Sequence, residues 1–129
     1  MLRLVPLGGL GTQTHLGLDT NPASIAPALR ELASLGLPVH VSELDVKLEE
    51  RADDPAALDI QARLVGAVAE AFAALPARQR FAVTTWGVRD SDSWLRDKPK
   101  RGSPPERALL LDDAGRPKPA FHAAVEAWT

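Results

Sequence analysis

The stretch Val39-His-Val-Ser-Glu-Leu-Asp-Val46 carries the most information in this chain, because an apolar run here ends in two carboxylates, Glu43 and Asp45. β-Branched residues suit a pleated surface, and Leu37-Pro38 supplies the turn that opens the strand, read over Val39–Leu44. Strand side chains alternate faces, so Glu43 and Asp45 are expected to project together, on the face of Val39 and Val41. His40 then falls on the opposite face as a packed side chain. Two acids where a buried strand ends call for a chemical explanation, or else only solubilise a loop.

Outward from this strand, the chain alternates strand and helix. Upstream, Leu10 to Leu16 is a short β-like run entered through Gly8, Gly9 and Gly11. Asn21-Pro22 starts a helix, with Asn as cap and Pro in the first turn, and Ile25, Leu29 and Leu32 follow at helical spacing until Gly36. Downstream, Lys47 to Asp54 is a charged loop. Pro55 then opens the longest helix, with an apolar stripe through Leu58, Ile60, Leu64, Val68, Phe72 and Leu75, ended by Pro76. Phe81 to Trp86 reads as a third strand, Leu109–Leu111 as a brief pairing, and Pro119 to Trp128 as a closing helix. Such a βα series predicts an α/β fold, a parallel sheet under helices; strands apolar on both faces predict burial on both sides.

Composition bounds the partners. At 129 residues and 45% hydrophobic content the chain is one domain's worth of globular protein. A net charge of −2 exerts no global pull on nucleic acid or anionic membrane. The basic stretch 98–107 has no interleaved aromatics and reads as a solvated loop. Without Cys there is neither a disulfide framework nor a thiolate metal site. No segment is long enough for a membrane span, and no signal peptide is visible.

Active sites of parallel sheets sit at the carboxyl edge, and three strand ends here present polar groups. The first is Gly9-Leu-Gly-Thr-Gln-Thr-His15, where Gln13 and His15 share a face; the second is Ser42-Glu-Leu-Asp45. The third, Thr84-Thr-Trp-Gly-Val-Arg-Asp-Ser-Asp-Ser-Trp94, sets Trp86 and Trp94 among short polar residues. Indole faces pack on the C–H face of a sugar ring while acids and amides bind its hydroxyls. Competing chemistries fit less well. Gly9-x-Gly11 lacks the third glycine of a dinucleotide loop, His15, Glu43 and Asp45 follow no recognised metal spacing, and neither Ser91 nor Ser93 has an adjacent His. His122, beside Phe121, reads as helix packing.

The strings Gly9-x-Gly-x-Gln-x-His15, Ser42-Glu-Leu-Asp45 and Thr85-Trp-Gly-Val-Arg-Asp-Ser-Asp-Ser-Trp94, in this order, resemble family 10 glycoside hydrolases, the retaining endo-β-1,4-xylanases. The tail Leu110-Leu-Asp-Asp-Ala-Gly-Arg-Pro-Lys-Pro-Ala-Phe121 is similar to that family's closing segment. The resemblance implies a single partial domain over residues 1–129, the C-terminal portion of a (β/α)8 TIM barrel: about three βα units, strands six to eight, with the barrel incomplete. It implies Glu43 as catalytic nucleophile, His15 hydrogen-bonded to it, Asp45 orienting His15, and Gln13, Trp86 and Trp94 binding substrate. Xylan or xylo-oligosaccharides would be the partner, with no metal and no cofactor. A polymeric substrate implies a secreted or periplasmic protein.

One requirement of the resemblance is unmet. The acid/base Glu of the family follows an Asn, and the only Asn here, Asn21, precedes Pro22. The chain is therefore expected to be a poor hydrolase alone and to need the missing N-terminal part of the barrel. The alternative is a non-catalytic carbohydrate-binding or interaction fragment that keeps the Trp-lined edge.

Overall fold

A computed structural model describes residues 5–97 and 100–129. Lys98 and Pro99 of the basic stretch lie outside the described residues. The elements in chain order are β1 (Leu10–Thr12), β2 (His15–Gly17), α1 (Ile25–Ala33), β3 (Val39–Lys47), α2 (Pro55–Ala73), β4 (Arg80–Thr85) and α3 (Pro119–Glu126). Every strand pairing is parallel and made to β3. A strand has only two edges, and β1 and β4 both pair with Val39–Val41, so they flank it on opposite sides. Only Gln13 and Thr14 separate β2 from β1, and β2 continues along the same edge as far as Lys47.

Local chemistry starts the helices. Asn21 Oδ1 accepts the Ala23 N–H at 3.0 Å and Pro22 opens a 3-10 turn that feeds α1. Asp54 does the same for α2, its Oδ1 accepting the Ala56 N–H at 2.9 Å, with Pro55 in the first turn. The helix ends at Ala73, a turn before Pro76, and α3 ends at Glu126 rather than Trp128. Gly36 adopts φ +79°, which suits a residue without Cβ at the end of α1.

The core lies on one side of the sheet. Val39, Val41, Leu44 and Val46 of β3 are 0–3% exposed and pack with Ile25 and Leu29 of α1 and Leu64, Val68 and Phe72 of α2. Full burial of each such side chain contributes about 1.5–3 kcal/mol. The expectation of a sheet buried on both faces is corrected: Phe81 is 70% exposed and Trp86 44%. Helices cover one face, and the other is open.

Those core positions also correct the assignment of faces along β3. Their spacing changes from two to three between Val41 and Leu44, which strict alternation forbids. Both neighbours record the cause. Thr12 to His15 on one edge matches Val41 to Asp45, and Val83 to Thr85 on the other matches Val41 to Leu44. On each edge β3 holds one residue more than its partner, a β-bulge at Ser42–Glu43. Below the bulge odd-numbered residues face the helices; above it even-numbered ones do. Glu43 and Asp45 thus share a face, but the open one, away from Val39 and Val41. His40 lies on that same face and is half-buried rather than packed in the core, its Nε2 2.8 Å from Thr84 Oγ1.

Candidate active site

Register brings the first two polar strand ends together. His15 on β2 is the pairing partner of Asp45 on β3, and the Asp45 N–H donates to the Thr14 carbonyl at 3.3 Å. From there the imidazole spans two carboxylates: Nδ1 lies 2.9 Å from Asp45 Oδ1, and Nε2 lies 3.0 Å from Glu43 Oε2. The remaining Asp45 oxygen, Oδ2, accepts the Trp94 indole N–H at 2.9 Å. The Trp94 ring stands edge-on to His15 with centroids 5.6 Å apart. Four side chains from three separate segments therefore form one hydrogen-bonded chain, Trp94–Asp45–His15–Glu43.

The electrostatics follow from this order. Asp45 is 3% exposed, with Oδ1 against the His15 ring and Oδ2 accepting the Trp94 indole N–H. With Asp45 as acceptor, Nδ1 carries hydrogen. Nε2 then faces a second carboxyl group, and an imidazolium can donate to both sides. Burial works against that charge, but the Asp45 carboxylate, and after it Glu43, outweigh burial and raise the His15 pKa above its ordinary value. The ring thus ties the Glu43 carboxylate to the buried Asp45.

The other sequence-predicted residues are placed less tightly. Trp86 follows β4, and its backbone N–H donates to the Leu44 carbonyl at 3.0 Å, which sets it beside the end of β3 on the open side. Gln13 sits in the break between β1 and β2 and is exposed; among the described residues its side chain makes no hydrogen bond. It borders, with His15, Thr12 and Leu29, a cleft of about 220 Å³ between this strand edge and α1. His122 is exposed on α3, 5.7 Å from the Phe121 ring. Among the described residues no group of three or more His, Cys, Asp or Glu could hold a metal ion, and no helix is long and apolar enough to cross a membrane.

Sequence reading missed the supports behind the site. Asp90 and Lys118 are buried, at 1% and 3% exposure, and their charged atoms lie 3.0 Å apart. Burial pushes the Asp90 carboxyl up and the Lys118 ammonium down, each opposed by the attraction of its partner. Nearer the surface, the Glu106 carboxylate accepts the backbone N–H groups of Leu48 and Glu49 at 2.6 and 2.9 Å. It pins the basic stretch to the end of β3, so Ser103, Pro104, Glu106 and Arg107 are partly buried rather than solvated. These partners are 28 and about 57 residues apart in sequence, beyond any local spacing rule.

A family model described as glycosyl hydrolase family 10 matches residues 1–127. Endo-1,4-beta-xylanase A of Thermoanaerobacterium saccharolyticum is 36% identical over 122 residues, covering 95% of this chain and 10% of that protein. A thermostable mutant of a xylanase from Cellvibrio japonicus superposes with a TM-score of 0.82 at 31% identity, over 95% of this chain and 40% of that one. Xylanase A of P fluorescens subsp. cellulosa, solved as a mutant in complex with xylopentaose, superposes at 0.83 with 30% identity, over 97% of this chain and 41% of that one. The chain thus spans a tenth of the first relative and about two fifths of these solved xylanases, and its open parallel sheet matches part of their fold. Matched over residues 1–127 by the family model, the chain belongs to glycosyl hydrolase family 10.

Proposed function

We propose that this chain supplies the nucleophile side of a retaining endo-β-1,4-xylanase, as the part of the barrel that contains strands six to eight. The carrying observation is the His15 ring held between Glu43 and Asp45 at 3.0 and 2.9 Å. Retaining hydrolysis needs one carboxylate fixed beneath the anomeric carbon and a second carboxyl roughly 5–5.5 Å away, acting as acid and then as base. Glu43 is the nucleophile in this reading. His15 hydrogen-bonds it and fixes its orientation, and Asp45 turns His15 through Nδ1. Trp86 and Trp94 wall the sugar subsite, and Gln13 binds substrate at the rim.

Asp45 is unsuited to be the second carboxyl, since both its oxygens are committed and it is 3% exposed. The acid/base therefore comes from residues outside this sequence. Alone, the chain loses about 10²–10⁴ in rate from the missing acid/base, and more from the missing cleft. Xylan hydrolysis by the purified chain, with and without a polypeptide supplying the rest of the barrel, tests this. Activity of the lone chain near that of a full-length xylanase refutes the division of labour. Retained activity in a complemented Glu43→Ala protein refutes the nucleophile assignment.

One observation favours a second reading. Trp86 and Trp94 are 44% and 43% exposed on the open face, a surface able to bind xylo-oligosaccharide without turnover. Trp86-dependent binding with no hydrolysis, even after complementation, selects this reading.

A further inference from the structure

We propose that the buried Asp90–Lys118 pair sets the loop that carries Trp94, and that Lys118 is a positioning residue acting on Glu43 through Trp94, Asp45 and His15. The last link rests on the reading of Glu43 as nucleophile; the anchoring itself does not.

Placement carries the argument. Asp90 lies midway between Trp86 and Trp94, four residues from each, with its carboxylate turned inward. Its Oδ1 accepts both the Leu109 N–H at 2.9 Å and the Lys118 ammonium at 3.0 Å. The ammonium also donates to the Arg107 carbonyl at 2.6 Å and the Leu109 carbonyl at 2.7 Å. Its three donors thus meet three acceptors, fixing its position completely. On the Trp94 side the path from the anchor is short. The Ser93 N–H donates to the Asp90 carbonyl, the buried Ser93 hydroxyl accepts the Leu95 N–H at 3.2 Å, and Trp94 stands between them. On the Trp86 side, Leu109 is held at both its N–H and its carbonyl by the same pair. Its Cδ1 lies 2.6 Å from where a Cβ on Gly87 would stand.

A purely packing role fits poorly. An ion pair out of water contributes little net stability, and apolar residues of similar volume commonly do as well or better. Asp90 Oδ2 lacks a hydrogen-bond partner among the described residues and meets only the Arg107 guanidinium, at 3.5 Å. What the pair provides, and an apolar pair does not, is a fixed point for the loop whose indole N–H must reach Asp45 Oδ2.

Hydrogen exchange and His15 titration by NMR test this without any turnover, so the outcome is independent of whether the chain hydrolyses xylan. In the unmodified chain, the Trp94 indole N–H and the Leu109 backbone N–H should exchange through one opening, with the same dependence on urea. Exchange of Trp94 through a separate opening overturns the proposal. The variant Lys118→Met, and the double variant Asp90→Leu with Lys118→Met, which removes both charges of the pair and leaves only the half-buried Arg107 without its partner, should speed Trp94 indole exchange by about tenfold or more, the loss of one hydrogen bond to a charged group. They should also move the His15 titration in the same direction as Trp94→Phe, while the Trp128 indole stays unchanged. A folded variant with Trp94 and His15 signals as in the unmodified chain overturns the proposal. If neither variant folds, exchange in the unmodified chain decides.

Discussion

Gly87→Ala puts a methyl group where the fold has no room for one. The residue holds φ at +134°, a conformation that L side chains rarely adopt, and forcing one there costs about 1–3 kcal/mol. The new Cβ would also stand 2.6 Å from Leu109 Cδ1. A flexible surface leucine could swing away. Leu109 is 1% exposed, and its backbone is fixed at the N–H by Asp90 and at the carbonyl by Lys118. Overpacking of this kind costs a further 1–3 kcal/mol or so, for a total near 2–6 kcal/mol. With a urea m-value of about 1–3 kcal/mol/M, the unfolding midpoint should fall by about 1 M or more. The clash is separable from the backbone strain by a double-mutant cycle. Leu109→Ala alone should cost about 2–5 kcal/mol as a buried truncation. In the Gly87→Ala background it should cost clearly less, because it removes the colliding methyl. A Gly87→Ala loss below about 0.5 kcal/mol, the size of an ordinary surface change, or strict additivity in the cycle, would refute the reasoning.

Further expectations concern the site and its supports. Because the folded His15 pKa is raised above its unfolded value, its contribution to stability is fully present below about pH 6.5. It is lost as pH rises through the raised value. Urea titrations on both sides of that range should show the fall, and Asp45→Asn should flatten it. Glu106→Ala strips a charged acceptor from the Leu48, Glu49 and Arg107 N–H groups and should cost about 1.5–3 kcal/mol, with faster amide exchange at those residues; unchanged exchange at Leu48 and Glu49 contradicts the pinning role. In a complemented protein, Trp86→Ala should weaken xylo-oligosaccharide binding by about 0.5–1.5 kcal/mol in a calorimetric titration, and an unaltered affinity removes Trp86 from the subsite.

Where the chain's own neighbours in sequence decide an outcome, the sequence is readable. Asn21-Pro22 and Asp54-Pro55 announce their helix starts because cap and donor are two residues apart. The apolar stripe of α2 likewise announces the face that meets β3. Strands β2 and β3 meeting at His15 and Asp45 could be anticipated only through the family resemblance, since register between strands depends on partners 30 residues away. The bulge was illegible for a related reason: nothing in Val41-Ser-Glu-Leu44 departs from a regular strand, and the extra residue exists only relative to both neighbours. Trp94 could be read as a sugar-facing wall, but its bond to Asp45 spans 49 residues and leaves no mark in local spacing. The Asp90–Lys118 pair spans 28 residues and leaves no mark in local spacing either.

The bulge at Ser42–Glu43 lets one strand obey two masters. Its lower half is in phase with the hydrophobic layer through Val39 and Val41, and its upper half through Leu44 and Val46, half a pleat later. A strand without that slip could bury either half correctly, never both, while still presenting Glu43 and Asp45 to the open side. Flattening the bulge with all nine residues kept would bring the strand back into a single phase. The two acids would then compete with valines for the helix-facing side, and the protein would have to give up either its core or its carboxylates. One surplus residue is what makes a hydrophobic strand and an acidic one compatible in the same nine positions.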